Sequence, residues 1–116
     1  MIKGCDAEAA CRELSEYYDI IRHESGSGIA GTTIELVPKG FNKAVGISAV
    51  CRLFDIPWED TIVFGDSNND LAMFEYAAVN VTMENASEKI KALADHITHD
   101  MFHYGIRNGL EYLKLI

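Results

Sequence analysis

The chain has 116 residues, of which 48% are hydrophobic and 24% charged, so its composition is that of a folded domain rather than a disordered segment. A chain of this length has room for one small domain or for part of a larger one. Its formal net charge of −8 argues against nucleic acid and anionic membranes as partners, because both bind basic surfaces. The negative charge does not exclude a small phosphorylated molecule as a partner, since a single lysine can bind a phosphate inside an acidic protein.

The cysteines and the apolar runs bear on location. Cys5, Cys11 and Cys51 are odd in number and form no C-x-x-C pair, which disfavours a disulfide framework and a zinc knuckle. Reduced thiols are typical of cytosolic proteins. The first residues lack the apolar core of a signal peptide, and no run approaches the ~18 apolar residues of a membrane span. We therefore expect a cytoplasmic protein.

The N-terminal part of the chain predicts a small α+β piece. Its predicted elements are a helix over residues 6–17 and strands over residues 17–23 and 32–37. The glycine-rich stretch 25–31 connects the two strands, so the pair is most simply a β-hairpin. Pro38 and Gly40 then interrupt the chain. We place a domain boundary here, between residues 1–38 and residues 39–116.

From residue 39 onward, helices and strands alternate. The predicted helices cover residues 43–54, 70–78, 86–94 and 106–115, and the predicted strands cover residues 61–64, 79–83 and 96–98. The strands 61–64 and 79–83 are short continuous apolar runs, which are typical of parallel strands buried on both faces. Asn85 followed by Glu88 resembles a capping box for the third of these helices. The alternation predicts an α/β fold with a parallel sheet.

An acidic loop directly follows the apolar strand 61–64. It reads Gly-Asp-Ser-Asn-Asn-Asp over residues 65–70, which places Asp66 and Asp70 four residues apart. Ligands of open parallel sheets bind at the carboxyl ends of the strands, and carboxylate and amide oxygens suit Mg²⁺. Taken alone, a polar turn in which Asp70 is the N-cap of the next helix explains these residues about equally well.

Further motifs lie on both sides of the acidic loop. They are Glu-Leu-Val-Pro at 35–38, Gly-Phe-Asn-Lys-Ala at 40–44, a methionine at 73, Met-Glu-Asn-Ala at 83–86 and Ala-Asp at 94–95. In this order they resemble the haloacid dehalogenase-like (HAD) phosphohydrolases, and in particular the Cof-type branch of sugar phosphatases with a large α/β cap. The resemblance is close over residues 33–116 and loose over residues 1–32.

The resemblance implies a fold and an activity. The fold is α/β: the C-terminal part of a Rossmann-like parallel sheet, the HAD-like core, preceded by the remnant of an α+β cap domain. The activity is hydrolysis of small phosphate monoesters such as sugar phosphates, with Mg²⁺ as cofactor and an aspartyl-phosphate intermediate. The expected partner is therefore a small phosphorylated metabolite.

The resemblance also implies a role for four residues. Lys43 matches the lysine that offsets the charge of the nucleophile and of the transferring phosphoryl group, and so serves catalysis and substrate binding. Asp66 matches a direct Mg²⁺ ligand. Asn69 matches the amide that helps to orient the phosphate. Asp70 matches the second acidic position, which orders either the metal shell or Lys43, and so is expected to serve both the metal and catalysis.

The nucleophile motif of the resembled family is missing. That motif is D-x-D, and the sequence contains no D-x-D at any position. Because the motif precedes the cap in this branch, we expect the chain to be a C-terminal fragment that is inactive by itself. The alternative is a non-catalytic remnant, or a Mg²⁺-binding interaction module that self-associates or pairs with another chain. In the resembled fold, the strand that carries the nucleophile lies at the centre of the sheet, next to the strand 61–64. Without it, the strand 61–64 would be an exposed edge, so we expect a homodimer or larger assembly.

Two further patterns have weaker functional interpretations. Residues 26–31 fit G-x-G-x-x-G, but they lead into a strand, whereas the dinucleotide fingerprint opens a helix. His96, His99 and His103 are spaced as metal ligands can be. Such histidines are more often solvated, and we find no cysteine or carboxylate spacing that supports zinc. We favour a hairpin connection for the first pattern and exposed side chains for the second.

Overall fold

A computed structural model of the chain describes residues 7–23 and 33–116. Its contacts divide the chain into two compact units, Met1–Phe41 and Asn42–Ile116. The assignment of residues 1–38 to a cap remnant and of residues 39–116 to the core stays a prediction. The glycine-rich pattern 26–31 lies outside the described residues. Within the described ranges, no helix combines the length and the apolar character that crossing a membrane requires.

The first unit contains one helix and one pair of strands. They are α1 (Ala7–Leu14), β1 (Tyr18–His23) and β2 (Thr33–Pro38). The strands pair antiparallel, with Tyr18 opposite Pro38 and His23 opposite Thr33. The antiparallel pairing predicted from the sequence is confirmed, and the predicted connection lies outside the described residues. Arg22 and Glu8 form an ion pair of 2.9 Å between exposed side chains, which contributes little stability.

The second unit is a three-stranded parallel sheet with four helices. The strands are β3 (Ile62–Gly65), β4 (Val79–Met83) and β5 (His96–Thr98), and the helices are α2 (Lys43–Phe54), α3 (Leu71–Tyr76), α4 (Glu88–Lys91) and α5 (Gly105–Tyr112). The strand order is β3-β4-β5, and both pairings are parallel. The predicted α/β fold is confirmed. Because the strands are parallel, the segments that follow them all emerge at one edge of the sheet.

Local signals explain where α2 begins and ends. Asn42 is its N-cap, and the Asn42 side chain accepts a hydrogen bond of 3.0 Å from the backbone N–H of Val45. Asp55 ends the helix in the left-handed conformation, with φ of 58°. Pro57 follows two residues later and cannot continue a helix. These signals fix Lys43 as the first residue of α2.

The predicted start of α4 is wrong. Its N-cap is Ser87 rather than Asn85, and the helix begins at Glu88. The reason is a tight turn before the helix, in which the backbone N–H of Ala86 donates to the carbonyl of Met83 at 3.0 Å. This turn keeps Asn85 outside the helix, so Asn85 and Glu88 do not form a capping box.

Apolar side chains cover both faces of the sheet. On one face the buried core contains residues from β3, α3, α4 and the turns beside these helices, namely Val63, Met73, Phe74, Ala77, Ala86 and Ile90. On the other face, Phe64 and Val81 are register partners and lie against α5 at Gly109. A Cβ atom at position 109 would approach the Phe64 ring to 2.6 Å, so glycine permits this close packing. The strands are thereby held firmly, and the loops at their carboxyl ends start from fixed positions.

Candidate functional site

Asp70 closes the acidic loop that follows β3. Asp70 is buried, and its Oδ2 accepts hydrogen bonds from the backbone N–H groups of Asp66 at 3.1 Å and Ser67 at 3.3 Å. Asp70 therefore precedes α3 without capping it, because its side chain points back into the loop. A buried carboxylate that accepts backbone N–H groups is a strong local restraint, since hydrogen bonds to a charged acceptor are stronger than neutral ones.

The other oxygen of Asp70 holds Lys43. The Lys43 ammonium donates to Asp70 Oδ1, which joins the first residue of α2 to the loop after β3. The Lys43 side chain is 50% exposed whereas that of Asp70 is 6% exposed. The ammonium group is therefore accessible to solvent although its partner carboxylate is buried. A lysine in the first turn of a helix opposes the helix dipole, and the carboxylate offsets that cost. The structure thus brings together Lys43 and Asp70, two of the four predicted site residues.

Gly65 makes the close approach of Asp70 possible. A Cβ atom at position 65 would lie 2.7 Å from Asp70 Oδ2 and 2.8 Å from the Phe74 ring. The Gly65 carbonyl in turn accepts a hydrogen bond of 2.7 Å from the hydroxyl of Thr82, which is fully buried in β4. Sequence reasoning missed Thr82. The signal that could have found it was a polar residue inside the apolar run of β4.

Asp66 and Asn69 occupy the outer part of the loop. Asp66 is exposed, and its carboxylate makes no hydrogen bond or ion pair with any residue in the ranges 7–23 and 33–116. Asn69 is half-buried, and its carbonyl oxygen accepts from the Ser67 hydroxyl at 2.6 Å. Asp66 is therefore free to bind a cation, whereas both oxygens of Asp70 already have donors. This difference favours the ordering of Lys43 as the role of Asp70, over direct metal ligation.

A second group of side chains, all of types that can bind a metal ion, lies further along the same edge of the sheet. Glu84 follows β4, and Asp100 and His103 follow β5; one ligand atom from each lies within 4.8 Å of the others. His99 Nδ1 lies 3.8 Å from Glu84 Oε2. His96 points elsewhere, since its ring stacks on Tyr112 with the centroids 3.7 Å apart. Of the three histidines that the sequence singled out, His103 joins the cluster and His99 borders it.

Asp100 is held rigidly within this second group. Its Oδ1 accepts from the backbone N–H groups of Phe102 and His103, each at 2.9 Å, and contacts His103 Nδ1 at 2.7 Å. Desolvation acts to raise the pKa of Asp100, but the hydrogen bonds from His103 and Phe102 and the charge of His103 outweigh it. The pKa of Asp100 therefore lies below its ordinary value of 3.8.

A cavity of about 560 Å³ lies beside the second group rather than beside the acidic loop. Its lining comes from β5, α5 and the residues that follow β4 and β5, namely Glu84, His96, Ile97, Thr98, His99, Asn108, Glu111 and Tyr112. None of the predicted site residues, Lys43, Asp66, Asn69 and Asp70, lines it. The cavity therefore does not mark the predicted phosphate position.

The chain is an α/β protein with a parallel sheet. At the carboxyl ends of the strands, where ligands of such sheets bind, a charged loop holds a lysine on a buried aspartate. Comparison with known sequences identifies the family. The sequence model of the haloacid dehalogenase-like hydrolases matches residues 5–110. The chain belongs to this family.

Individual relatives agree with the family match. The chain is 37% identical over 83 residues to the 5-amino-6-(5-phospho-D-ribitylamino)uracil phosphatase YitU of Bacillus subtilis (strain 168), covering 71% of this chain and 31% of that protein. It is 32% identical over 73 residues to phosphoglycolate phosphatase of Methanosarcina mazei (strain ATCC BAA-159 / DSM 3647 / Goe1 / Go1 / JCM 11833 / OCM 88), covering 63% and 32%. The chain thus spans about a third of the length of these curated relatives.

A solved structure supports the same fold. The structure of the HAD subclass IIB sugar phosphatase BT4131 superimposes on the chain with a TM-score of 0.77 at 31% identity. The superposition covers 94% of this chain and 40% of that one. The resemblance to the HAD-like phosphohydrolases that the motifs predicted is confirmed at the level of family and fold.

Proposed function

We propose that the chain provides the lysine and metal-binding half of a phosphohydrolase site that acts on small phosphate monoesters. The observation that carries this proposal is the contact between Lys43 and the buried Asp70, beside the free carboxylate of Asp66 at the carboxyl end of β3. Relatives named as phosphatases of a phosphoribitylamino compound, of phosphoglycolate and of sugars support this class of substrate.

Lys43 is the residue that would stabilise the transferring phosphoryl group. Its ammonium is half-exposed at the end of a side chain whose position is fixed by Asp70. A preorganised cation stabilises charge that develops in the transition state without reorganising during the reaction. Asp70 acts through Lys43 and is a positioning residue in this scheme. Asn69 lies in the same loop, where its amide group can orient a phosphate oxygen.

Asp66 is the residue that would bind Mg²⁺. Its carboxylate is exposed and unpartnered within the described part of the chain, and a hard oxygen ligand suits this ion. When bound, Mg²⁺ would offset negative charge on the phosphate and hold it in place for attack. Because both oxygens of Asp70 have donors, Asp66 is the main carboxylate ligand that this chain offers. We expect such a partial set of ligands to bind Mg²⁺ weakly.

The nucleophile would come from elsewhere. The family's D-x-D motif does not occur in the 116 residues, so no aspartyl-phosphate of the expected kind can form on this chain. We propose that the isolated chain is inactive and that the active protein also includes a segment with that motif. The second candidate function is a non-catalytic module that self-associates or pairs with another chain. The unpaired edge of β3 favours it, since β3 pairs only with β4 among the described residues.

The proposed location is the cytoplasm. Cys11 and Cys51 are free and buried, and reduced buried thiols are typical of cytosolic proteins. Measurement of the thiol state of the protein in cell fractions tests this proposal. Recovery of the protein from an oxidising compartment would contradict it.

The proposed activity can be tested with a chimera. The 83 residues of this chain that match YitU of Bacillus subtilis would replace their counterparts in YitU, so that the rest of YitU supplies the segments that this chain lacks. We expect the chimera to hydrolyse p-nitrophenyl phosphate in the presence of Mg²⁺, and Asp66→Asn to abolish this turnover.

The controls separate a failed site from a failed fold. Circular dichroism and size-exclusion chromatography establish whether the chimera and its variants are folded. Asp60→Asn is a matched substitution, since Asp60 is exposed and lies before β3 rather than in the loop. A folded chimera without turnover, or one in which Asp66→Asn and Asp60→Asn behave alike, would contradict the proposed function.

A further inference from the structure

The carboxyl edge of the sheet brings the carboxylate of Glu84 beside Asp100 and His103, which lie three residues apart after a different strand. Glu84 follows β4, whereas Asp100 and His103 follow β5. Because Met83 and Thr98 are register partners in the parallel sheet, the residues that follow them emerge side by side. A hydrogen bond of 2.8 Å from the Glu84 backbone N–H to the Thr98 carbonyl fixes this adjacency. The juxtaposition is therefore a consequence of the sheet register.

The three side chains lie close enough together to bind one metal ion. A carboxylate oxygen of Glu84, one of Asp100 and a ring nitrogen of His103 lie within 4.8 Å of one another. Around a tetrahedral ion with bonds of about 2.0–2.1 Å, ligand atoms are about 3.4 Å apart. The side chains of Glu84 and His103 are exposed by 52% and 71% and can close this gap by small rotations.

We propose that Glu84, Asp100 and His103 form a binding site for a transition-metal dication such as Zn²⁺. The site is separate from the acidic loop of residues 65–70, and the proposal does not depend on the proposed phosphatase function.

The surroundings of each ligand support this assignment. Three donors converge on Asp100 Oδ1, and its Oδ2 has no partner within the described ranges, so one oxygen positions the carboxylate and the other can bind. The contact between Asp100 and His103 Nδ1 also fixes the imidazole ring. Carboxylate contacts of this kind orient metal-binding histidines in many proteins. His99 Nδ1, 3.8 Å from Glu84 Oε2, is near enough to add a fourth ligand.

The chemistry of the ligands selects the ion. Imidazole nitrogen suits Zn²⁺, Cu²⁺ and Ni²⁺, whereas Mg²⁺ prefers an all-oxygen octahedron. Two carboxylates also compensate the charge of a dication, which relieves the repulsion between Glu84 and Asp100. The acidic loop, with oxygen ligands alone, has the opposite preference. The two sites should therefore be distinguishable by the ion that each prefers.

The test is a titration of the 116-residue chain with ZnCl₂, followed by calorimetry and by NMR of backbone amides and histidine rings. We expect Zn²⁺ to shift the signals of Glu84 and of residues 99–103. Glu84→Gln and His103→Gln should each weaken binding by a factor of about ten or more, as loss of metal-site interactions commonly does. A large excess of Mg²⁺ should not displace the Zn²⁺.

Matched variants make the outcome decisive. His96→Gln removes a histidine that stacks on Tyr112 instead of joining the cluster, and it should leave Zn²⁺ affinity unchanged within a factor of about two, as expected for a non-ligand. Asp66→Asn should do the same. His103 is largely exposed, so His103→Gln should remain folded, which circular dichroism verifies. The proposal is overturned if Zn²⁺ binds no tighter than Mg²⁺, if His103→Gln has no effect, or if the shifts centre on Asp66.

Discussion

The buried carboxylate of Asp70 is the restraint that the site depends on, and Asp70→Asn tests its strength. Asparagine has almost the same size, so the change creates no cavity. It removes the charge that pairs with Lys43, and its NH₂ group must face either the Lys43 ammonium or the N–H groups of Asp66 and Ser67. The half-exposed ion pair contributes about 1 kcal/mol, and one weakened charged hydrogen bond adds about 1–1.5 kcal/mol. We therefore expect the free energy of unfolding to fall by roughly 2 kcal/mol.

Urea denaturation followed by Trp58 fluorescence measures this loss. Trp58 is the single tryptophan of the chain and lies in the second unit, hydrogen-bonded to the carbonyl of Tyr76, so its signal reports on the unit that contains the site. Asp60→Asn is the control, since an exposed substitution should change stability by less than about 0.5 kcal/mol. If Asp70→Asn costs no more than this control, Asp70 does not hold the loop together.

Four further outcomes are expected. Gly65→Ala should displace Asp70, because the new Cβ atom would lie 2.7 Å from its Oδ2, and we expect a loss of about 1–3 kcal/mol in the same urea assay. A stability equal to wild type would show that the loop has more room than the structure indicates. Mg²⁺ should bind near Asp66 with a dissociation constant on the order of millimolar, seen as shifts of the amides of residues 66–70 in an NMR titration. Micromolar affinity would contradict the partial ligand set. The isolated chain should not hydrolyse p-nitrophenyl phosphate with Mg²⁺ present, and turnover that Asp66→Ala removes would refute this expectation. Sedimentation should show a dimer or larger assembly that protects the amides of residues 61–64 from hydrogen exchange, and a stable monomer at micromolar concentration would count against it.

The sequence was most informative where signals are local. The strands 79–83 and 96–98 were predicted with the bounds that the structure has. The helix 43–54 was also predicted with its observed ends, and the structure shows Asn42 as its N-cap. The start of α4 was wrong because a backbone turn competes with the capping pattern, and the choice between them depends on tertiary contacts.

The site was predictable only in part, because some of its neighbours are set by tertiary contacts. The motifs predicted Lys43 and Asp70 as members of one site, and their contact now explains why a lysine begins α2. The group of Glu84, Asp100 and His103 was missed, because only the register of β4 and β5 brings Glu84 beside Asp100 and His103. A search for ligand spacing along the chain cannot find residues that the pairing of strands brings together.

The most direct test of the central claim, that Lys43 stabilises a transferring phosphoryl group, is the kcat/KM of the YitU chimera after Lys43→Met. We expect a loss of about a hundredfold or more, comparable to the removal of one preorganised donor from an active site. Lys89→Met is the matched control, since Lys89 is an exposed lysine of α4 outside the acidic loop, and it should leave kcat/KM unchanged. Equal kcat/KM values for the two variants would contradict the claim.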